Sequence, residues 1–244
     1  MDSLARSARL FFSDDLSQGQ RTVDITGVEF SHLRVLRPKA GDTVALTDGQ
    51  GNMALGRINA VGKEHAAVDI IEKETIPPPQ VHTALAFAPT KRDKWEWLVE
   101  KATENGVLSF IPLLTRRNIE FARDFERKRE RFERIVRGAV KQSKRAWLPK
   151  IHAPVSLNKE IDFFEKFDTI ALMHPHGQPL DALAFHGRKE IVIAVGPEGG
   201  WDDSEITAFR KHDALMFHLG PYILKTETAA LKAAILIQYL SGGG

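Results

Sequence analysis

The segment Gly196-Pro197-Glu198-Gly199-Gly200 combines three glycines with a carboxylate, directly after the apolar run of residues 190–195. Glycine lets a backbone approach a ligand closely. The segment is neither GxGxxG nor GxxxxGK[ST], and its carboxylate repels polyphosphate, so neither a dinucleotide nor a nucleoside triphosphate is expected. We expect a cofactor with positive charge; the alternative is a tight turn without a ligand.

Two further segments have the same character. Residues 219–229 (LGPYILKTETA) contain a Gly-Pro turn, a lone cation at Lys225 and Thr226 as a candidate helix cap. Lys225 is placed to face a developing anion, or is a surface lysine near a helix start, where the helix dipole disfavours a cation. His174-Pro175-His176 follows a third apolar run. It does not predict a metal site, because the sequence offers no third ligand nearby and no cysteine.

All three segments follow predicted strands. Strand-like runs at 83–88, 109–114, 169–173, 190–195 and 215–219 alternate with helical periodicity at 93–105, at 124–143, after Trp201 and up to about residue 240. Asp202 and Glu205 have the spacing of a capping box for the third of these helices. The alternation predicts an α/β domain with a mostly parallel sheet, whose ligand site lies at the carboxyl ends of the strands.

The N-terminal part has a different pattern. Short strands are predicted at 8–12, 21–25, 43–47, 53–61 and 66–71, with one helix near 29–37, which suggests a small β-barrel. Three consecutive prolines at 77–79 then favour an extended spacer. We therefore predict a barrel at 1–74, a linker at 75–80 and an α/β domain at 81–244.

The formal net charge of +2 conceals a basic central region. Residues 1–75 carry 9 basic and 11 acidic side chains, residues 81–150 carry 17 and 9, and residues 151–244 carry 8 and 12. A basic surface of this kind suits a polyanion such as RNA. The alternative is a solvated helix face, balanced by Glu126, Glu130 and Glu133.

Several classes of protein are excluded. The chain has no cysteine, which removes disulfides and thiolate metal sites and favours a cytoplasmic location. It has no GxSxG or HExxH motif, so hydrolase chemistry is not indicated. No apolar segment has the length of a signal peptide or of a membrane span of about 20 residues, so we expect no membrane insertion.

Taken together, these motifs resemble the RsmE family of ribosomal RNA methyltransferases, which belong to the SPOUT class. The match runs along nearly the whole chain and includes Arg9 with Phe11 and Phe12, the segment 32–37, Gly41-Asp42, Asp48-Gly49, Lys91, Glu100-Lys101, Gly106-Val107, the segment 142–145, His174-Pro175, the segment 196–200 and the segment 219–228.

The resemblance implies a PUA-like N-terminal barrel, a C-terminal SPOUT-type domain with a deep trefoil knot, and a homodimer. It further implies S-adenosyl-L-methionine as the cofactor and a uridine N3 atom of small-subunit (16S) ribosomal RNA, naked or in the assembled subunit, as the methyl acceptor. No metal is implied.

The resemblance also implies site residues. For the cofactor these are Leu172, Met173, His174, Gly196, Pro197, Gly199, Gly200, Leu219, Gly220, Ile223, Leu224 and Thr226. For RNA they are Arg9, Phe12, His32, Arg34, Arg37, Lys91, Arg116, Arg117, Gln142, Ser143 and Lys144, with Phe12 as a ring that stacks on bases.

Catalysis is less well determined by sequence. Lys225 and Arg145 are candidates for stabilising charge on the uracil oxygens, and Glu198 and Glu227 are candidates for the general base. The chain departs from the family in having Lys225 where arginine is usual and Lys141 where glutamate is usual. Two alternatives therefore stay open: an RNA-binding ribosome-assembly factor with a degenerate pocket, and a SPOUT methyltransferase of another ribosomal RNA nucleotide.

Overall fold

The computed structural model describes residues 8–88, 92–116 and 125–242. The chain divides into two compact units, Met1–Pro78 with Val140–Leu148, and Pro79–Ala139 with Pro149–Gly244. The sequence predicts a boundary in the same proline-rich region, but it assigns residues 140–148 to the second domain, whereas they group with the first unit.

The first unit contains a five-stranded sheet. Its strands are β1 (Leu10–Phe12), β2 (Thr22–Thr26), β3 (Thr43–Thr47), β4 (Asn52–Val61) and β5 (His65–Thr75), in the order β1-β3-β4-β5-β2. One helix, α1 (Gly27–Val35), follows β2 directly, and a 3₁₀ turn spans Asp14–Gln18. Alternate residues of β2 are buried, as expected for a strand with one face on a core. The apolar side chains of this sheet pack with Phe30 and Leu33 of α1.

Residues 140–148 join this unit through specific contacts. The backbone N–H of Leu148 donates to the Gly49 carbonyl at 2.8 Å, and that of Gly51 donates to the Ala146 carbonyl at 3.0 Å. Gly51 has φ of +99°, and a Cβ there would lie 2.7 Å from the Trp147 ring. Tertiary packing of Trp147, rather than proximity in sequence, therefore places this segment in the first unit.

The second unit contains a seven-stranded sheet in which every pair is parallel. Its strands are β6 (His82–Phe87), β7 (Ser109–Leu114), β8 (Lys150–Ile151), β9 (Val155–Ser156), β10 (Thr169–Pro179), β11 (Glu190–Val195) and β12 (Leu215–His218). The order is β12-β10-β11-β6-β7-β8, and β9 also pairs with β7. The helices are α2 (Arg92–Glu104), α3 (Phe125–Ser143), α4 (Asp203–Lys211) and α5 (Thr226–Leu240).

The predicted parallel α/β arrangement is confirmed. Residues 191–195 of the central strand β11 are all buried, which explains why this strand appears in the sequence as a continuous apolar run. The trefoil knot stays a prediction, because strand order alone does not distinguish a threaded chain from an unthreaded one. Among the described residues, no helix has the length and apolar character needed to cross a membrane.

Strand β10 is longer than predicted, since it continues to Pro179 instead of ending at residue 173. After a register shift, Gln178 pairs with Phe217 of β12. A Cβ at Gly177 would lie 2.4 to 2.6 Å from backbone atoms of Phe217. The extension therefore depends on a residue without a side chain at position 177.

The amino ends of three neighbouring strands are connected by a polar cluster. His82 at the start of β6 has Nδ1 at 2.6 Å from Glu190 Oε2, at the start of β11. Its Nε2 lies 2.8 Å from the hydroxyl of Ser109, the first residue of β7. Each ring nitrogen therefore has a partner on a different adjacent strand.

Candidate functional site

A pocket of about 860 Å³ opens at the carboxyl ends of β11 and β12, beside the middle of β10. The loops after β11 and after β12, together with residues 173–176 of β10, supply most of its walls. The residues that line it are Lys94, Met173, His174, Pro175, His176, Val195, Gly196, Pro197, Glu198, Gly200, Trp201, Phe217, His218, Leu219, Gly220, Pro221, Tyr222, Ile223, Leu224, Lys225, Thr226 and Ala229.

The loop after β11 is shaped by Trp201. The indole Nε1–H donates to the Met173 carbonyl at 3.0 Å, so the buried ring connects this loop to β10. A Cβ at Gly196 would lie 2.9 to 3.1 Å from the ring atoms of Trp201. Gly196 is thus required for close packing of the tryptophan behind the pocket.

Helix α4 begins immediately after this loop, and its start is fixed by a capping box. Asp202 accepts from the Ser204 N–H at 3.0 Å, and the Glu205 carboxylate accepts from the Asp202 N–H at 2.8 Å. Hydrogen bonds from the Ser204 hydroxyl and from the Ser204 N–H lower the pKa of Asp202, and the nearby Arg116 lowers it further. Glu205 also accepts from the Arg116 N–H at 3.0 Å, which links the helix start to the segment after β7. The predicted capping box is confirmed.

The loop after β12 is held at its first residues. The Gly220 N–H donates to His218 Nδ1 at 3.0 Å, and Lys232 Nζ donates to the Leu219 carbonyl at 2.8 Å. Lys225 is the N-cap residue of α5, without a side-chain cap, and Thr226 is the first helical residue. The expectation that Thr226 caps this helix is therefore wrong, because the helix begins one residue earlier than a threonine cap requires.

The charged groups of the pocket meet at Lys94 on α2. Its Nζ lies 2.6 Å from Glu198 Oε1 and 3.8 Å from Glu227 Oε1. Glu227 Oε2 is buried without a hydrogen-bond partner, although the side chain retains 13% exposure. Lys94 is thus an ammonium that these two carboxylates share.

His174 and His176 lie side by side, with ring centroids 5.5 Å apart. The His176 N–H donates to His174 Nδ1 at 3.1 Å. Burial lowers the pKa of His174, and the nearby charges of His176 and Arg210 lower it further. A neutral His174 is therefore favoured beside the pocket. Within the described ranges, the one group with metal-ligand spacing is Asp162, Glu165 and His212, which includes neither histidine.

The structure brings most of the predicted cofactor residues together. Met173, His174, Gly196, Pro197, Gly200, Leu219, Gly220, Ile223, Leu224 and Thr226 all line the pocket. Leu172 does not, because its side chain is fully buried in the sheet core, and Gly199 is exposed outside the lining.

The four candidate catalytic residues are placed differently. Lys225 and Glu198 line the pocket, and Glu227 lies behind it, near Lys94. Arg145 belongs to the first compact unit, where burial lowers its pKa to about 10.

The predicted RNA-binding residues of the first unit are mostly accessible. Arg9, His32, Arg34, Arg37 and Gln142 are exposed, and Ser143 and Lys144 are half-buried. Lys144 Nζ donates to the Ala8 carbonyl. In the second unit, Arg116 is exposed and its Nη1 lies 3.4 Å from Asp202 Oδ1. Lys91 and Arg117 lie outside the described residues.

Phe12 requires a correction. Its side chain is only 5% exposed, in strand β1, and its ring lies 3.2 Å from the position of a Cβ on Gly49. A ring packed in this way presents no face to a nucleobase, so the predicted stacking role of Phe12 is wrong. The sequence shows an aromatic residue three positions after Arg9 but not the direction in which its side chain points.

Lys141, which stands where the family usually has glutamate, is paired with a carboxylate in the structure. Lys141 Nζ lies 2.9 Å from Glu29 Oε1 and 3.2 Å from His32 Nδ1, all within the first unit. Glu29 Oε2 accepts from the Phe12 N–H at 3.3 Å. The lysine is therefore paired with a carboxylate of α1 on the same unit.

Ten lining residues were absent from the predicted cofactor and catalytic residues: Lys94, Pro175, His176, Val195, Trp201, Phe217, His218, Pro221, Tyr222 and Ala229. Nine lie within or next to segments that the sequence singles out, so extending those segments by one or two residues would have found them. Lys94 has a weaker signal: it follows β6, whose carboxyl end meets the same edge of the sheet.

Comparison with known proteins identifies the chain's relatives. The family described as "RNA methyltransferase domain" matches residues 77–238, and that described as "RNA methyltransferase PUA domain" matches residues 25–71. A Synechocystis protein named "Ribosomal RNA small subunit methyltransferase E" is 32% identical over 229 residues, 91% of this chain and 74% of that protein. The chain belongs to the RsmE family of RNA methyltransferases.

Other members of the RsmE family match a similar share of this chain. The Bacillus subtilis protein of the same name is 29% identical over 231 residues, covering 89% of this chain and 90% of its own length. The crystal structure of a Neisseria gonorrhoeae protein of that name, bound to S-adenosyl methionine, is 28% identical with a TM-score of 0.85, over 96% of this chain and 98% of that one. A fold with an RNA methyltransferase domain and a PUA domain is thus shared along nearly the whole chain.

Proposed function

We propose that this RsmE-family chain transfers the methyl group of S-adenosyl-L-methionine to the N3 atom of a uridine in small-subunit (16S) ribosomal RNA. The observation that carries the proposal is the pocket at the carboxyl ends of β11 and β12, beside β10, where glycine-containing loops meet two carboxylates. A relative with the same fold along nearly its whole length binds this cofactor.

The pocket residues fit the cofactor. Gly196, Gly200 and Gly220 keep the walls free of side chains at three points, and the volume of about 860 Å³ is within the range of small-molecule sites. The carboxylates of Glu198 and Glu227, which share the ammonium of Lys94, favour a cation. The bound cofactor would supply an electrophilic methyl group, and the loops would align it with the acceptor nitrogen.

The chain's own residues must prepare the acceptor. A neutral uracil N3 carries a proton, so a base must remove it, and the charge that develops on the ring oxygens needs a donor. Lys225 is exposed at the pocket and N-terminal to α5, where its ammonium acts as a point charge and not as a bidentate fork. Glu198 and Glu227, the two carboxylates near Lys94, are the candidates for the base that removes this proton.

For RNA we propose two basic regions, each within its own unit: the exposed Arg9, His32, Arg34 and Arg37 of the first unit, and separately the basic helix α3. Part of the charge on α3 is balanced by carboxylates, since Arg129 pairs with Glu133 of the same helix at 3.2 Å and Arg131 with Glu96 of α2 at 2.6 Å. Basic regions of this kind favour phosphate contacts, so the affinity for RNA should fall steeply as salt rises.

The proposal includes a homodimer, a cytoplasmic location and ribosomal RNA, naked or in the assembled small subunit, as the partner. These parts are supported by the family resemblance, and the location also by the absence of cysteine.

Methyl transfer tests the function directly. Purified protein is mixed with methyl-labelled S-adenosylmethionine and small subunits that lack the mark, and the RNA is digested and analysed by mass. We expect one labelled methyl group, on N3 of a single uridine. Cofactor binding with transfer to another nucleotide would contradict the proposed specificity. Failure to bind the cofactor would instead favour an RNA-binding assembly factor.

Lys225→Ala tests the catalytic part of the proposal. Loss of a charge that stabilises the reacting ring should lower turnover roughly 100-fold while the Kd for S-adenosylmethionine stays nearly unchanged. Lys211→Ala, which removes an exposed lysine at the end of α4, serves as the matched control. Unchanged turnover in Lys225→Ala would contradict the role of Lys225.

A further inference from the structure

The loop after β12 exposes two large side chains beside the pocket. Tyr222 is 82% exposed and Ile223 is 93% exposed, and both line the pocket. Scattered exposed apolar residues are normal on a protein surface. Two consecutive ones at the edge of a ligand pocket, on a loop, are instead typical of a surface that is covered by a bound molecule.

The loop is held in position before Tyr222. Lys232 Nζ and the Gly220 N–H both make hydrogen bonds at its first residues, and Pro221 restricts the backbone directly before the tyrosine. On the other side, Lys225 is the N-cap residue of α5. A tyrosine ring on such a support loses little conformational freedom when it contacts a ligand, because it has only two side-chain torsions.

The chain offers an internal reference for this residue. It contains two tyrosines, and the other, Tyr239 on α5, is 79% exposed but does not line the pocket. The two side chains thus have nearly equal exposure and differ in whether they border the pocket.

We propose that Tyr222 is a stacking platform for the nucleobase that is presented to the methyl donor. This inference rests on the proposed function. Its ring lies at the pocket, three residues from the exposed ammonium of Lys225, so one loop offers an aromatic face and a cation. A nucleobase can stack its π-face on the tyrosine ring, and its ring oxygens or a neighbouring phosphate can interact with the lysine ammonium.

A base fits this surface better than a protein partner does. The exposed pair is continuous with the cavity that would hold the cofactor, so a molecule that covers the pair is in reach of the transferred methyl group. Ile223, next to the ring, is among the predicted cofactor residues, so the tyrosine ring borders the proposed position of the cofactor. A second copy of the chain that covers the loop is the competing occupant, and the experiment distinguishes it.

The kinetic test uses small subunits that lack the mark. Tyr222→Ala should lower kcat/KM by about tenfold or more, as expected for the loss of one base–aromatic stack. The Kd for S-adenosylmethionine and the oligomeric state in solution should not change. Tyr222→Phe and Tyr222→Trp should restore activity, and Tyr222→Leu should not. Tyr239→Ala is the matched control and should behave as the wild type.

Binding is measured separately from activity. In protein labelled with 3-fluorotyrosine, the two fluorine resonances are assigned with Tyr222→Phe and Tyr239→Phe. A uridine-containing fragment of small-subunit RNA should shift the Tyr222 signal and leave the Tyr239 signal in place.

Three results would overturn the inference: full activity of Tyr222→Ala, restoration by Tyr222→Leu, or a change of oligomeric state in Tyr222→Ala, which would indicate a second copy as the occupant. If the wild type itself transfers no methyl group, the proposed function fails, and the inference fails with it. Activity of the wild type together with an unaffected Tyr222→Ala overturns the inference alone.

Discussion

The two ends of the parallel sheet in the second unit use similar residues in opposite ways. At the amino ends, His82 is hydrogen-bonded on both sides, to Glu190 and to Ser109. At the carboxyl ends, Glu198 and Lys225 line an open pocket. We call the cluster of His82, Glu190 and Ser109 at the amino ends of the strands the closed edge, because its polar groups are hydrogen-bonded to one another. The pocket at the opposite end of the sheet is the open edge.

The difference shows why residue types alone do not identify a site. Serine, histidine and a carboxylate in hydrogen-bonded series match the arrangement of an activated nucleophile. Ser109, however, is only 2% exposed, so a substrate has no access to its hydroxyl. The cluster connects three strands, whereas the glycines at the other edge leave room for a ligand. Burial of the serine hydroxyl, and not residue type, distinguishes this cluster from the candidate site.

The largest effect is expected from Gly177→Ala, which should disrupt the open edge. A Cβ at this position meets the backbone of Phe217, which cannot rotate away, so β10 and β12 must separate. We expect a loss of about 3 kcal/mol in unfolding free energy and loss of cofactor binding, measured by urea denaturation and calorimetry. Gly138→Ala, on α3 with open space around it, is the control and should not destabilise. Wild-type stability and binding in Gly177→Ala would contradict the account.

The closed edge should affect stability alone. Ser109→Ala removes one of the two partners of His82, and we expect unfolding free energy to fall by about 1 kcal/mol. The Kd for S-adenosylmethionine should be unchanged, because the cluster lies at the opposite ends of the strands. A changed Kd in a variant that remains folded would show that the two edges are coupled.

Lys94→Met should change how strongly the pocket discriminates between a cationic and a neutral form of the cofactor. Without this ammonium, the two nearby carboxylates attract the sulfonium of S-adenosylmethionine more strongly, but not the neutral S-adenosylhomocysteine. The ratio of their dissociation constants should shift about fivefold in favour of the cation, as for one unit charge at surface dielectric. Lys101→Met is the control, because this lysine of the same helix pairs with Glu100 and Glu104 instead. An unchanged ratio would place the carboxylates away from the cofactor.

The smallest effect concerns pH. Burial lowers the pKa of His152, and the charges of Lys166, Lys150 and His82 lower it further, to about 4. The unfolded chain takes up this proton near pH 6.5 and the folded chain only near pH 4, so stability falls as pH falls between these values. In the His152→Gln variant, the unfolding free energy should therefore fall less between pH 6.5 and pH 4 than in the wild type. An identical pH profile for the variant and the wild type would contradict it.

Elements with strong periodicity could be predicted from the sequence. The strands 43–47, 109–114 and 190–195 match the structure to the residue, because continuous or alternating apolar runs directly reflect burial. The extension of β10 could not be predicted, since it depends on the approach of Gly177 to another strand. The grouping of residues 140–148 with the first unit likewise depends on the packing of Trp147.

The site was predictable to the extent that its residues share loops. Glycine-rich segments after strands indicated most of the lining, because parallel strands bring their carboxyl ends to one edge. Lys94 comes from a helix and reaches the pocket through tertiary packing, and Trp201 acts through a hydrogen bond to another strand. Phe12 was misjudged because its strand directs the ring into the core.

Hydrogen exchange measured with and without S-adenosylmethionine tests the contrast between the two edges most directly. The account predicts slower exchange at residues 195–201 and 217–229 when the cofactor is present, and unchanged exchange at the amino ends of β6 and β7. Protection confined to the amino ends, or no change in these two segments despite saturating cofactor, would contradict the assignment of the site.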